Sequence, residues 1–334
     1  MTNATDPDTL ISETVSHYIQ NSTSQNDTTD DFQTSRNCFY WIVACSNWIA
    51  GYFELTVAIF LLSQNFKKHD SPIKSAFFTL LAVGYVADSL NSIAWLIGDI
   101  INYDEDNHLT IFSVLIQWYA SYFEGFWELV LAFNRCTALA FPVLYNKLWR
   151  GYSYAFITFI VIVFPFLCNG YTFATNLHCR LYLYGDGCND FVKRDSLTAA
   201  VVTCCMSFVA LIVAGNGCFR ARGSRNVSRV SRLLLIQTIA TSTCQILCSW
   251  FFAYSSLNEK EDVYLWEAIS AVFSFFQHYP GVIFLFFISP AVRIGYCKFY
   301  HLHFLVRNAK ITSVASKATN VQNKSGGTTS TRHF

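Results

Sequence analysis

Seven apolar segments, each long enough to cross a bilayer as a helix, leave this chain little choice of fold. They fall at about 38–64, 76–101, 111–141, 153–175, 197–219, 233–257 and 267–290. A hydrocarbon core roughly 30 Å thick needs about 20 mostly apolar residues at 1.5 Å per residue. Stretches such as 157–167 and 282–288 leave no polar face for water, and the alternation in ten-residue segments that marks barrel strands is missing. Charged residues make up 13% of the 334, too few to cover a soluble surface, where about 25% is usual. A net charge of +1 argues against nucleic acid, whose phosphates call for a basic excess. The fold class expected is an all-α integral membrane protein, a seven-transmembrane helix bundle over 38–290.

Lys and Arg set the orientation. Of the 23 in the chain, 17 lie in the loops at 63–75, 142–152 and 220–232 and in the tail after 290, against five on the other side. The N-terminus is therefore expected outside and the C-terminus in the cytoplasm. Residues 1–37, rich in Ser, Thr and Asp, form a disordered extracellular tail with glycosylation sequons at Asn3, Asn21 and Asn26. The start carries neither a basic region nor an apolar run, so the first helix is expected to direct insertion itself. On the inner side, 291–310 mixes aromatic and basic residues as a short amphipathic juxtamembrane helix does. Cys297 within it is a candidate for palmitoylation, and 311–334 is a disordered cytoplasmic tail.

The loops are too short for a catalytic domain, and neither a His-Glu-x-x-His run nor paired aspartates appear. His278 is the one histidine well inside a segment, so no metal site, cofactor or enzyme activity is expected. Glu54, Asp88, Glu124, Glu128 and Arg135 are ionisable residues at membrane depth, where charge is costly and marks an interior of functional interest. Glu124, Glu128 and Arg135 share one face of the third segment at 100° per residue, and Asp88 lies at a depth where it can approach Glu124. These carboxylates are either protonated packing groups or an ion or proton site. Cys38, Cys179 and Cys188 are the three cysteines on the oxidising side. Cys179 and Cys188 flank Gly185-Asp186-Gly187, so a hairpin closed by their disulfide is the simplest geometry, with Cys38 paired to either as the competitor.

At the inner end of the third segment the chain reads Asn134-Arg135-Cys136-Thr137-Ala138-Leu139-Ala140-Phe141-Pro142. This resembles the Asp-Arg-Tyr motif of rhodopsin-like G-protein-coupled receptors, with Arg135 as the arginine, Asn134 in place of the acid and Pro142 at the family spacing. The longer run from Phe133 to Trp149 looks like the nematode serpentine chemoreceptors, in particular the Srg-like group, which read Asn-Arg-x-Thr-Ala/Ser-x-x-Phe-Pro here. Other landmarks are degraded. Ser289-Pro290 stands where the rhodopsin-like family has Asn-Pro-x-x-Tyr, and Cys248-Ser249-Trp250 lacks the usual following proline.

The resemblance implies a chemosensory receptor that couples a small extracellular or volatile ligand to a heterotrimeric G protein through Arg135, Asn134 and Pro142. Its place would be the plasma membrane of sensory neurons or their cilia. The pocket is expected between the outer halves of the third, fifth, sixth and seventh helices, among membrane lipids, and lined by Trp118, Tyr122, Trp250, Tyr254, Phe273 and Gln277. Each of these is alternatively a packing or lipid-facing residue. The rival class is a seven-helix ligand-gated ion channel or transporter.

Overall fold

The computed structural model describes residues 41–65, 75–101, 107–182, 187–222, 229–257 and 263–302. Of these, 93% are helical and none lies in a strand. The sequons at Asn3, Asn21 and Asn26, Cys38, and both terminal tails lie outside them, as do Lys67, Lys68 and Lys74. Two compact units divide between Ile49 and Ala50. The described part of the first is the opening of helix α1 (Trp41–Asn65), where Trp41 and Trp48 meet edge to face at 5.9 Å. All that follows concerns the second unit.

Its long helices are the rest of α1, then α2 (Ala76–Ile101), α3 (His108–Ala140), α5 (Gly151–Asn169), α8 (Asn189–Arg222), α9 (Arg229–Leu257) and α10 (Val263–Ile288). Short helices α4 (Pro142–Leu148), α6 (Thr172–Thr175), α7 (Leu177–Leu181) and α11 (Pro290–Phe299) join or follow them. Among the described residues, six helices are long and apolar enough to cross a membrane; α3 is not one of them. The reason is its position. Helix α3 packs against α2, α5, α8 and α9, and a helix walled by others can carry Glu124, Glu128 and Arg135 without a lipid-compatible surface. The other helices expose many large apolar side chains, such as Phe156 and Phe159 on α5, Phe208 and Ile212 on α8, and Phe284 and Phe287 on α10. Water would not tolerate such a surface; lipid does.

Helices here approach through small residues, as membrane helices do in the absence of a hydrophobic drive between them. A Cβ on Gly84 would overlap the indole of Trp127, whose Nε1 donates to the Leu80 carbonyl at 2.8 Å. Gly125 sits so near α8 that a Cβ would lie 2.9 Å from Thr203 Cα, and Thr203 Oγ1 donates across to the Ser121 carbonyl at 2.7 Å. Gly84→Val is expected to expel the indole from its slot and lower stability by about 3 kcal/mol, the upper end of overpacking costs. Thermal unfolding of the purified protein in lipid nanodiscs checks this, and a midpoint matching that of the parent contradicts it.

The expected segment boundaries hold closely for α2 and move elsewhere. Helix α8 starts at Asn189, well before the expected 197, because its first turns are polar and escape a reading by hydropathy. At 34 residues it is roughly 50 Å long, well over the hydrocarbon thickness. The loop expected at 142–152 contains α4, with Pro142 at its first position, where the missing N–H costs nothing. Pro290 likewise opens α11 behind a Ser289 cap, whose Oγ accepts from Val292 N at 3.4 Å. It is therefore a helix starter and not the counterpart of a proline inside the seventh helix. The juxtamembrane helix expected over 291–310 stops at Phe299. His301 turns left-handed at φ 57° and the Leu302 N–H reaches back to the Cys297 carbonyl at 2.7 Å, closing the helix as a Schellman cap does. Helix α11 packs on α1 through Tyr296, whose hydroxyl meets Thr56 Oγ1 at 2.8 Å. Cys297 is also turned inward, 5% exposed.

Candidate functional site

Three polar constructions lie along α3. The first is at the end of the bundle that carries the disulfide. Cys179 in α7 and Cys188 just before α8 are bonded, with Cα atoms 5.4 Å apart, so the pairing with Cys38 is set aside. Helices, not hairpin strands, bring the two cysteines together. The bond tethers α7 to the start of α8 and holds Arg180, 0% exposed, in the bundle. Its guanidinium forms a two-pronged ion pair with Asp195 of α8, at 2.8 and 2.6 Å, and donates through Nε to Thr172 at 3.2 Å. Asn169, at the end of α5, donates to both Asp195 and the Tyr122 hydroxyl. Aromatic rings close the sides: Trp118, Phe173 and Phe191 lie 5.3, 5.9 and 4.9 Å from the guanidinium carbon. Next to this network is a cavity of about 180 Å³, lined by Asn169, Thr172, Asn176, Phe191, Asp195 and Thr198, with Arg194 also on its wall.

The second lies midway along the bundle. Asp88 of α2 and Glu54 of α1 are both buried, and His278 of α10 places Nδ1 3.2 Å from Asp88 Oδ2. Glu124 accepts from Asn91 Nδ2 at 3.4 Å, and the buried Glu128 faces Thr241 and Ser242 of α9. The imidazole lies within electrostatic reach of all four carboxylates. None of the four pairs with a Lys or Arg among the described residues. A second cavity, of about 50 Å³, reaches Glu128, Gln277 and His278 from between α2, α3, α9 and α10.

The third is at the opposite end of α3. The Arg135 guanidinium carbon lies 3.0 Å from the centre of the Phe77 ring, and Nε and Nη2 are buried without hydrogen-bond partners. No carboxylate pairs with it among the described residues. Asn134 is buried with neither amide atom bonded, and Pro142 is exposed at the head of α4. Trp149 Nε1 donates to Thr137 Oγ1 at 2.8 Å, pinning α4 back on α3.

The expected lining residues part company. Trp118, Tyr122 and Gln277 are buried and Phe273 half-buried, but Trp118 and Tyr122 belong to the Arg180 network and Gln277 to the cavity by His278. Trp250 and Tyr254 are 65% and 43% exposed, on the outward side of α9. Ser242, Gln245 and Ser249 form the buried face of that helix. Trp250 is therefore turned about 100° away from it, while Phe251, half-buried on the side towards α10, stacks on Phe273 at 5.5 Å. Sequence reasoning missed Arg180 and Asp195, and it missed the company of His278. The one signal for Arg180 was its place directly after a bonded cysteine.

A family model described as the Srg family chemoreceptor matches residues 100–293. No curated protein matches the chain.

Proposed function

The chain belongs to the Srg family of serpentine chemoreceptors, and from that premise we propose that it is a G-protein-coupled receptor for a small extracellular ligand. In this reading α3 is a seventh span, the N-terminus is outside, the C-terminus is cytoplasmic, and the receptor sits in the plasma membrane of sensory neurons. The observation that carries it is the course of α3. One unbroken helix of 33 residues, His108–Ala140, carries both Tyr122, bonded to the wall of the polar cavity, and Arg135, held by an aromatic ring rather than an acid.

The ligand enters the cavity beside Arg180 and Asp195, which presents amide, hydroxyl and guanidinium groups around Phe191 and so suits a small polar molecule. Its contacts shift α3 against α5 and α8 through Tyr122 and Asn169. At the far end the same shift draws Arg135 off Phe77 and frees a guanidinium for the G protein, with Pro142 and the start of α4 alongside. Ligand and G protein then favour the same bundle arrangement, and the coupling is reciprocal.

Expression with a panel of G proteins and small odorants, reading nucleotide exchange and membrane current together, tests this. Ligand-stimulated exchange is expected; current without exchange would favour a ligand-gated channel. Orientation has its own test. Glycosidase should increase the mobility of the expressed protein, and combined Asn3→Gln, Asn21→Gln and Asn26→Gln should abolish the change. A mobility change that persists in the triple variant contradicts an outside N-terminus as its source.

A further inference from the structure

Glu54, Asp88 and His278 come from α1, α2 and α10, and each places a metal-binding atom within 4.8 Å of the other two. The carboxylates are 2% and 4% exposed. Among the described residues, Asp88 Oδ1 and Glu54 Oε1 have no hydrogen-bond donor, and Asp88 Oδ2 has only the His278 imidazole beside it. Buried polar atoms are ordinarily bonded, and buried carboxylates are paired or coordinate a cation. Here no Lys or Arg among the described residues does the pairing, and Glu124 brings a further carboxyl group next to the cluster.

The donor set narrows the class of cation. An imidazole nitrogen suits zinc and its first-row neighbours, whereas magnesium and calcium prefer all-oxygen cages. Bonds of roughly 2.0–2.2 Å in a tetrahedral site place ligand atoms about 3.3–3.5 Å apart. The His278 Nδ1 to Asp88 Oδ2 separation is 3.2 Å, already at that spacing. Glu54 has the side-chain torsions to close the rest. Glu124 or a water can take the fourth position, and the cavity that reaches His278 is a route in. The other close grouping, His178 with Cys179 and Cys188, is unsuitable because both sulfurs are spent in the disulfide.

We propose that Glu54, Asp88 and His278 form a binding site for a divalent transition-metal ion of the zinc class, joining α1, α2 and α10 at mid-bundle. The site is separate from the ligand cavity and from Arg135, and it stands whether or not the chain couples to a G protein. Bound metal would hold three helices in one arrangement and so bias the bundle towards it.

The test uses the full-length protein in lipid nanodiscs, with zinc chloride as the only added ligand in a buffer already containing sodium and magnesium. Micromolar zinc is expected to raise the melting midpoint by roughly 5 °C, since binding to the folded state alone stabilises it. Asp88→Asn and His278→Gln should each lose that rise. Both are near-isosteric, and Asp88→Asn also relieves charge crowding, so each should melt cooperatively without metal. Cobalt in place of zinc should give the visible absorption of a four-coordinate nitrogen–oxygen site, and His278→Gln should abolish it. No rise up to millimolar zinc would overturn the proposal. So would a rise that survives in His278→Gln, which would place the zinc on other histidines, or a rise produced by sodium or calcium alone.

Discussion

Asp195→Asn is expected to destabilise the protein by about 3–5 kcal/mol, the cost of leaving a buried charge without its partner. Arg180 is wholly buried and has no other acidic partner among the described residues: both prongs of its guanidinium end on Asp195. The substitution keeps the shape of the side chain and removes the charge, so packing is not disturbed. The melting midpoint in nanodiscs should fall on the order of 10 °C, and less protein should reach the cell surface. A second variant separates pair from charge. Replacing the ion pair with apolar groups, as Arg180→Met with Asp195→Leu, removes the orphaned cation and should melt above Asp195→Asn alone. The double variant should nonetheless fail to respond to ligand, because the same pair organises the cavity wall with Asn169 and Tyr122. If Asp195→Asn melts within 1 °C of the parent, the network at the disulfide end is not what holds α7 against α8.

What could be read beforehand was whatever one segment states about itself. Length and hydropathy place α2 at 76–101, as observed, because both its ends are marked by polar loops. They place α8 short, because residues 189–196 continue a helix in polar sequence beyond the apolar part. The inward face of α3 follows from the spacing of Glu124, Glu128 and Arg135, since periodicity within one helix is a local property. The rotation of α9 does not follow in the same way. Adjacent aromatics at Trp250 and Phe251 offer either face, and the choice is made by Phe273 and Trp266 on α10, stacked on Phe251 at 5.5 Å. His278 was unremarkable as a single imidazole. Only the packing of α1 and α2 against α10 gives it two carboxylates, and no spacing along the chain encodes that meeting. The partner of Arg135 was hidden for the same reason. With Asn134 in place of an acid the sequence offers no local lock, and Phe77 lies on another helix at the far side of a loop.

Phe77 makes the role of Arg135 testable. A guanidinium stacked on a ring is planar in a way an ammonium is not, and a cation–π contact is worth about 1–2 kcal/mol when desolvated. Arg135→Ala should leave surface expression and ligand binding near those of the parent while G-protein activation falls at least tenfold. Phe77→Leu removes the stack but not the guanidinium, and should raise activity without ligand instead. The most direct test of the account is Arg135→Lys, measured by nucleotide exchange on a co-expressed G protein at matched surface levels. The lysine keeps the positive charge at that end of α3 and loses the flat, multi-donor head. Loss of most ligand-stimulated exchange is the result expected. Signalling equal to that of the parent would mean that Arg135 contributes only its charge, and would contradict the receptor mechanism.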